Sequence, residues 1–150
     1  MLNKTRYWKV VHLLHNIRYS EVMDKVIDNQ ILFQIAEYNR EQLRQGERSD
    51  GSELPDYSPT SVNVYGKEAG PIKLFDTGYF YESIEAVVVG ESIAILSNPI
   101  KRDEITGKIT NLKEVYEPEI IGISKENLDK VRVEVKRKIV QHVIALLRSS

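Results

Sequence analysis

Two long stretches of helical periodicity, one in each half of the chain, most restrict the folds open to it. Over residues 20–45 apolar residues recur at the three- and four-residue spacing of an amphipathic helix. Ser20 stands where an N-cap is needed, and Gly46 offers the left-handed stop typical of a helix C-terminus. The second stretch follows Ser124, which is placed to cap a helix that ends near Arg148. The pattern predicts two long helices.

Each predicted helix carries two apolar stripes instead of one. In the first helix the stripes are Met23, Ile27, Ile31, Ile35 and Tyr38, and Val22, Val26 and Phe33. In the second they are Leu128, Val131, Val135, Ile139, His142 and Leu146, and Val133, Val140, Ile144 and Leu147. A helix with two apolar stripes needs two packing partners. We expect neighbouring subunits to bury part of this surface, and we predict contacts at Val133, Val140, Ile144 and Leu147.

Between the helices the apolar period changes to two. Residues 84–89 and 92–96 are rich in β-branched residues and are separated by Gly90-Glu91, which indicates a β-hairpin. A turn at residues 106–108 predicts a second, smaller hairpin, and residues 72–75 predict a short strand. The chain is therefore expected to be one α+β domain over residues 1–150, with long helices packed on a small antiparallel sheet.

Residues 46–71 form a polar segment punctuated by glycine and proline. Asp50-Gly51 favours a tight turn, and Ser58 followed by Pro59 can open one helical turn. Connections of this length in a compact domain are usually functional or mobile. We interpret the segment as an interaction loop, with plain flexibility as the alternative. Its candidate contact residues are Asp50, Gly51, Leu54, Tyr57 and Ser58.

Composition limits the chemistry that the chain can perform. With 150 residues, 41% hydrophobic and 29% charged, the chain fits one globular domain, and the absence of cysteine excludes disulfides and thiolate sites. No segment resembles a signal peptide or reaches the ~20 apolar residues of a membrane span, so we expect an unprocessed protein with no membrane contact. His12 and His15 share one helix face over residues 3–17, but amphipathic packing is the favoured interpretation, as it is for His142. We predict no metal site and no cofactor.

Charge is distributed unevenly along the chain. Residues 1–19 hold four basic residues and no acids, and residues 124–150 hold seven basic and three acidic residues. The middle holds nineteen acidic and ten basic residues. Zones of opposite charge allow copies of the chain to attract one another, although solvated helix faces are the commoner cause. A nucleic-acid surface at the basic amino terminus, where Tyr7 and Trp8 lie, is a further alternative.

The triplet Asp76-Thr77-Gly78 has two interpretations. It is the catalytic triplet of the aspartic proteases, in which two subunits each supply one carboxylate and the pair shares a proton. The later segment Ile120-Ile121-Gly122 also has a form found in the retroviral type of these enzymes. In the structural interpretation, Asp76 is a helix N-cap and Gly78 forms a tight corner. Tyr79, a bulky residue that would crowd the dyad axis, favours the structural interpretation, and a dimeric protease using Asp76 remains the alternative.

The order of motifs resembles a known family of structural proteins. Residues 74–83 read Leu-Phe-Asp-Thr-Gly-Tyr-Phe-Tyr-Glu-Ser, after a loop with Tyr57-Ser58-Pro59 and before a hairpin, and Gly122-Ile123-Ser124 introduces the last helix. This resembles the virion-morphogenesis and tail-completion proteins of tailed bacteriophages, which share a Leu-x-x-Thr-Gly-x-Leu-x-x-Ser pattern. The motif residues here are Leu74, Asp76, Thr77, Gly78, Phe80 and Ser83. Phe80 departs from the usual leucine, and the hairpin at residues 106–108 looks like an insertion.

The resemblance implies a non-enzymatic part of the virion neck, assembled in the host cytoplasm. Such a protein forms a homo-oligomeric ring between portal or adaptor proteins and tail tube proteins. Phage DNA passes through its channel without sequence-specific binding. The resemblance also implies that Thr77 and Gly78 shape the corner and that Phe80, Tyr81 or both pack between the hairpin and the long helices. Tyr81 at the surface is the alternative.

Overall fold

A computed structural model describes residues 18–149 of the chain. The helix predicted over residues 3–17, with His12, His15, Tyr7 and Trp8, lies outside the described residues. The elements that follow are numbered in chain order.

An aspartate divides the first long helix into two. α1 spans Tyr19–Val26 and α2 spans Asn29–Gln45. Between them Asp28 is extended, and its carboxylate accepts a hydrogen bond from the Ile31 N–H at 3.0 Å, so Asp28 is the N-cap of α2. The prediction of one helix capped by Ser20 is therefore wrong, because Ser20 lies inside α1. The predicted C-terminus is confirmed, since Gly46 has the left-handed conformation with φ of 77°.

The last helix, α6, spans Lys125–Ser149. It begins as predicted, with the Ser124 hydroxyl accepting a hydrogen bond from the Asn127 N–H at 3.3 Å. α6 packs against both α1 and α2. Lys138 on α6 forms an ion pair with Asp28 and so joins the last helix to the break between the first two.

Two antiparallel hairpins lie between the long helices. β1 (Glu85–Val89) pairs with β2 (Ser92–Leu96), and β3 (Ile100–Arg102) pairs with β4 (Ile109–Asn111). Both predicted hairpins are confirmed, but they are separate two-stranded sheets and not one sheet. The connection of the second hairpin is longer, and Asp103 orders it: its carboxylate accepts the backbone N–H groups of Ile105 and Thr106 at 3.0 and 2.6 Å.

The remaining segments are short. α3 spans Pro59–Asn63, α4 Tyr79–Glu82 and α5 Leu112–Tyr116, and a 3-10 turn spans Pro118–Ile120. The helical turn predicted at Ser58-Pro59 is confirmed, since the Ser58 hydroxyl accepts the Ser61 N–H at 3.1 Å. The strand predicted at residues 72–75 is wrong. Leu74 has a positive φ of 52°, which takes the chain out of the extended conformation before a strand can form.

α2 contributes to two clusters of buried side chains. The corner cluster joins it to the middle of the chain through Ala36, Leu43, Leu54, Phe80, Tyr81, Ile84, Leu112 and Ile120. The helix cluster joins it to β1 and α6 through Ile31, Ile35, Ala86 and Val131. The predicted α+β fold is confirmed, with α2 as the element common to both clusters. Over residues 18–149, no helix has the length and apolar character needed to cross a membrane.

Candidate functional site

The chain turns sharply at Gly78, immediately before α4. Gly78 is buried, with φ of 88°, a conformation that strains any residue with a Cβ atom. The Thr77 hydroxyl accepts the Tyr79 N–H at 3.4 Å, and the Phe75 ring lies 3.5 Å from the place that a Cβ on Gly78 would take. These contacts agree with the predicted role of Thr77 and Gly78 in shaping the corner.

Asp76 does not cap a helix, and that prediction is wrong. The N-cap position of α4 belongs to Gly78, which has no side chain to accept a hydrogen bond. Asp76 lies two residues earlier and instead forms an ion pair with Lys101 on β3, with an oxygen to nitrogen distance of 2.6 Å. The hydrogen bond from the Lys101 ammonium lowers the pKa of the Asp76 carboxyl below its usual value. The aspartate therefore connects the corner to the second hairpin.

These contacts do not support the protease alternative. A catalytic dyad requires the Asp76 carboxylates of two subunits to face each other, whereas here Asp76 is paired with Lys101 of its own chain. The segment Ile120-Ile121-Gly122 is occupied by structural contacts: Ile120 is fully buried, and both Ile120 and Gly122 hydrogen bond through their backbones to Asn39.

Phe80 and Tyr81 pack into the corner cluster as the resemblance implied. Both are buried, which removes the alternative of a surface Tyr81. The Tyr81 hydroxyl donates a hydrogen bond to the Lys73 carbonyl, and its ring meets the Phe75 ring edge-on at 5.3 Å. Burial raises the pKa of the Tyr81 phenol.

Ser83 completes the corner by connecting α4 to the chain that leaves the first hairpin. Its hydroxyl donates to the Phe80 carbonyl at 2.6 Å and accepts the Asn98 N–H at 2.9 Å. The six motif residues thus hold the corner, the two hairpins and α2 in one arrangement, and their contacts with one another are structural.

Three polar residues of α2 that the sequence did not single out fix this arrangement. The Arg40 guanidinium donates to the carbonyl oxygens of Tyr81 and Ile84, where α4 meets β1. Asn39 and Gln42 are buried, and their amides bind the backbone of residues 120–124. A detectable signal existed for both amides, because each interrupts an apolar stripe of α2: Asn39 lies between Ala36 and Leu43, and Gln42 continues the stripe of Ile31, Ile35 and Tyr38. Arg40 carried no such signal.

The loop at residues 46–71 is held firmly at its base. Arg48 donates to the Tyr116 carbonyl at 3.0 Å and to the Glu53 carbonyl at 2.7 Å. The predicted Asp50-Gly51 turn is confirmed, since Gly51 has φ of 83° and the Asp50 carboxylate accepts the Ser52 N–H at 2.9 Å. This hydrogen bonding suits a preformed loop better than a flexible one.

The candidate contact residues of the loop fall into two groups. Asp50, Gly51 and Ser58 are exposed and Tyr57 is half-buried, so each presents some surface to a partner. Leu54 is only 3% exposed and belongs to the corner cluster, so it cannot serve as a partner contact as predicted. It was misassigned because a lone leucine in a polar loop gives no indication of which way it points.

The four residues predicted as subunit contacts on α6 form an exposed apolar stripe, which we call the helix stripe: Val133, Val140, Ile144 and Leu147. Val133 is 67% exposed, whereas Val131, on the opposite side of the helix, is 8% exposed and packs in the helix cluster. One apolar face of α6 is therefore used inside the chain, and the other is open to solvent.

A second exposed apolar surface was not predicted. In the first hairpin, cross-strand partners share a face, and the pairs Glu85–Leu96, Val87–Ala94 and Val89–Ser92 face away from the helix cluster. We call the apolar members of this surface the hairpin face: Val87, Val89, Ala94 and Leu96. Val89 is 58% exposed and Leu96 47%, whereas Val87 and Ala94 are half-buried.

A cleft of about 550 Å³ opens between the corner and the second hairpin. Asp76 and Tyr79 line one side, and Lys101 and Lys108 line the other. Its charges are of both signs, and Asp76 and Lys101 already neutralise each other. Over the described residues no three histidine, aspartate or glutamate side chains come together to hold a metal ion, and His142 is half-buried on α6.

No protein-family model matches the chain, and neither a curated protein nor a solved structure matches it.

Proposed function

We propose that the chain is a non-enzymatic structural subunit of the head-to-tail connector of a tailed bacteriophage, in a neck or tail-completion ring around the DNA channel. The motif order quoted above suggests the family, and the exposed helix stripe is the structural observation that supports it. Four aliphatic side chains along one face of a long surface helix are expected where another protein surface covers them.

The form of the corner agrees with this proposal. Its motif residues make structural contacts, and Asp76 is paired with Lys101 across the neighbouring cleft. The hydrogen-bonded loop at residues 46–71 presents Asp50, Gly51 and Ser58 at the surface, suited to contacts with portal, adaptor or tail tube proteins. DNA passing through the ring requires no base-specific contacts from such a subunit.

The proposal is tested first on the purified full chain. Native mass spectrometry and negative-stain images should show a closed ring of one stoichiometry. Val140→Glu, which places a charge in the helix stripe, should shift the protein to monomers. The matched control is Gln141→Glu, an exposed neighbour outside the stripe, which should assemble as the unchanged chain does.

The location is tested in virions. Phage particles carrying an epitope-tagged copy should show the label as a symmetric layer between head and tail, and a phage whose copy is interrupted by a stop codon should accumulate filled heads without tails. Virions that have intact necks without the chain would rule out the proposed function.

A further inference from the structure

The helix stripe and the hairpin face point away from a common core. On α6, Val131 packs in the helix cluster, and Val133 lies about 200° further around the helix. On the first hairpin, Ala86 packs in the same cluster, and Ile95 packs against it from the paired position. Because the inner sides of both elements meet in one cluster, their outer sides cannot cover each other within one chain.

The two surfaces carry opposite charge. α6 holds seven basic and three acidic residues over 125–149, and Lys136 and Arg137 lie beside the stripe between Val133 and Val140. Arg137 is paired with Glu134 on the same helix, while Lys136 is exposed. The first hairpin, over residues 84–98, holds Glu85 and Glu91 and no basic residue, and Glu85 stands directly across from Leu96.

The form of the two surfaces suits a contact between a helix and a hairpin. An amphipathic helix presents a narrow row of side chains, and the outer side of a two-stranded hairpin presents a strip about as wide. A two-stranded hairpin is marginally stable by itself and gains from packing against a helix. On its inner side this hairpin packs on α2 at Ala86 and Ile95, while Val88 and Ile93 nearer the turn stay exposed. Its outer side is available for the equivalent contact.

We propose that the helix stripe of one copy packs on the hairpin face of the next copy, with Lys136 and Arg137 near Glu85. The occupant of each surface is then a second copy of this chain. The contact is head-to-tail, so every copy has one helix stripe and one hairpin face to offer. Such contacts produce a ring if the rotation between copies closes and a filament if it does not. Closure into a ring rests on the proposed function, whereas the contact between two copies does not.

The absence of cysteine allows the contact to be tested with single introduced thiols. Val140→Cys marks the helix stripe and Leu96→Cys marks the hairpin face. When the two full-length variants are mixed and treated with a short bis-maleimide, the main product should be a cross-linked dimer. Each variant alone should give no dimer above the level of the unchanged chain. A chain carrying both thiols should give a ladder of cross-linked species.

A matched pair controls for random collision. Val140→Cys mixed with Glu104→Cys, an exposed site on the second hairpin, should give no specific dimer. Circular dichroism and thermal melting of every variant identify any change that disturbs folding, and a misfolded variant is replaced by Ile144→Cys or Val89→Cys on the same surface.

Two results would overturn the contact. Cross-linking of Val140→Cys with itself would indicate a two-fold contact between α6 helices. The contact would also be excluded if no mixture of a helix-stripe thiol with a hairpin-face thiol gave a cross-linked dimer, whether the chain is oligomeric or monomeric at the concentration used. If rings form but this cross-link does not, the proposed contact is wrong and ring formation stands. If the cross-link forms but the chain is absent from virion necks, the neck function is wrong and the contact stands.

Discussion

Two neighbouring tyrosines at the corner differ in what surrounds them. Tyr81 is 4% exposed, and its hydroxyl donates to the Lys73 carbonyl. Tyr79 is 56% exposed, and its hydroxyl accepts a hydrogen bond from the Asn98 amide at 3.1 Å. The same residue type therefore contributes a buried hydrogen bond at one position and a solvated one two residues away.

We predict that Tyr81→Phe lowers the free energy of unfolding by about 1–2 kcal/mol, because the Lys73 carbonyl loses its donor. Tyr79→Phe should change it by less than about 0.5 kcal/mol, because water replaces an exposed hydrogen bond. Urea unfolding of both variants, followed by circular dichroism, measures the difference. Equal effects of the two substitutions would mean that the Tyr81 hydroxyl is solvated and the corner more open than described.

Residue-scale predictions from sequence succeeded where the cause was local. Gly46, Ser58 and Ser124 were placed correctly because helix ends depend on the few residues around them. Asp76 was misassigned because its partner, Lys101, is twenty-five residues away on a hairpin whose position cannot be inferred from the sequence pattern. The same reason explains why Arg40, whose acceptors lie more than forty residues away, was missed.

At the scale of the elements, the break between α1 and α2 is held by one side chain. Asp28 accepts the Ile31 N–H and forms an ion pair with Lys138 of α6. The hydrogen bond from Lys138 and then the one from Ile31 lower the pKa of the Asp28 carboxyl. Apolar periodicity alone runs through this point, which explains why a single helix was predicted.

We predict that Asp28→Asn lowers the melting temperature at neutral pH, because it keeps the cap but loses the ion pair. Asp28→Ala should lower it further, because it loses both. A carboxyl whose pKa is lowered by folding contributes stability above its unfolded pKa and loses it as pH falls through the folded value. The difference in melting temperature between the unchanged chain and Asp28→Asn should therefore disappear as pH falls below 3.8, the ordinary pKa of an aspartate.

Thermal melts across that range, with Asp24→Asn on the exposed side of α1 as the control, measure this difference. A difference between Asp28→Asn and the unchanged chain that stayed constant with pH would show that the ion pair with Lys138 does not contribute to stability.

Element types were predicted better than their arrangement. The hairpins followed from the two-residue period and the turn residues, which are local properties. Whether they join into one sheet depends on tertiary packing. Here the Asn98 N–H between β2 and β3 is hydrogen bonded to the Ser83 hydroxyl, and the two hairpins form separate sheets. The strand predicted at residues 72–75 is also a matter of tertiary packing, since Leu74, which has a positive φ, packs against the corner cluster.

For the whole molecule, α2 determines which surfaces stay open. It takes part in both buried clusters, so α6 and the first hairpin each pack their inner sides toward it. The helix stripe was predicted from sequence because two stripes on one helix exceed what one core can cover. The hairpin face was not, because a short apolar strand gives no sign of whether one side or both are buried.

The charge difference between these surfaces leads to a further prediction about assembly. If the basic α6 meets the acidic hairpin of the next copy, salt should slow association, since charge complementarity acts mainly on the encounter rate. Raising the ionic strength from about 0.05 M to about 0.5 M shortens the screening length severalfold and should reduce the association rate markedly. The apolar part of the contact should keep the dissociation rate nearly constant.

Glu85→Lys should lower the association rate at low salt, because it repels Lys136 and Arg137 of the next copy. Salt screens this repulsion, so added salt should no longer slow the association of this variant. Glu114→Lys, an equal charge change on the exposed side of α5, should leave the rate close to that of the unchanged chain. Stopped-flow light scattering after dilution from dissociating conditions measures both rates. If both substitutions slowed assembly equally, the effect would come from net charge, and the hairpin would have no special place in the encounter.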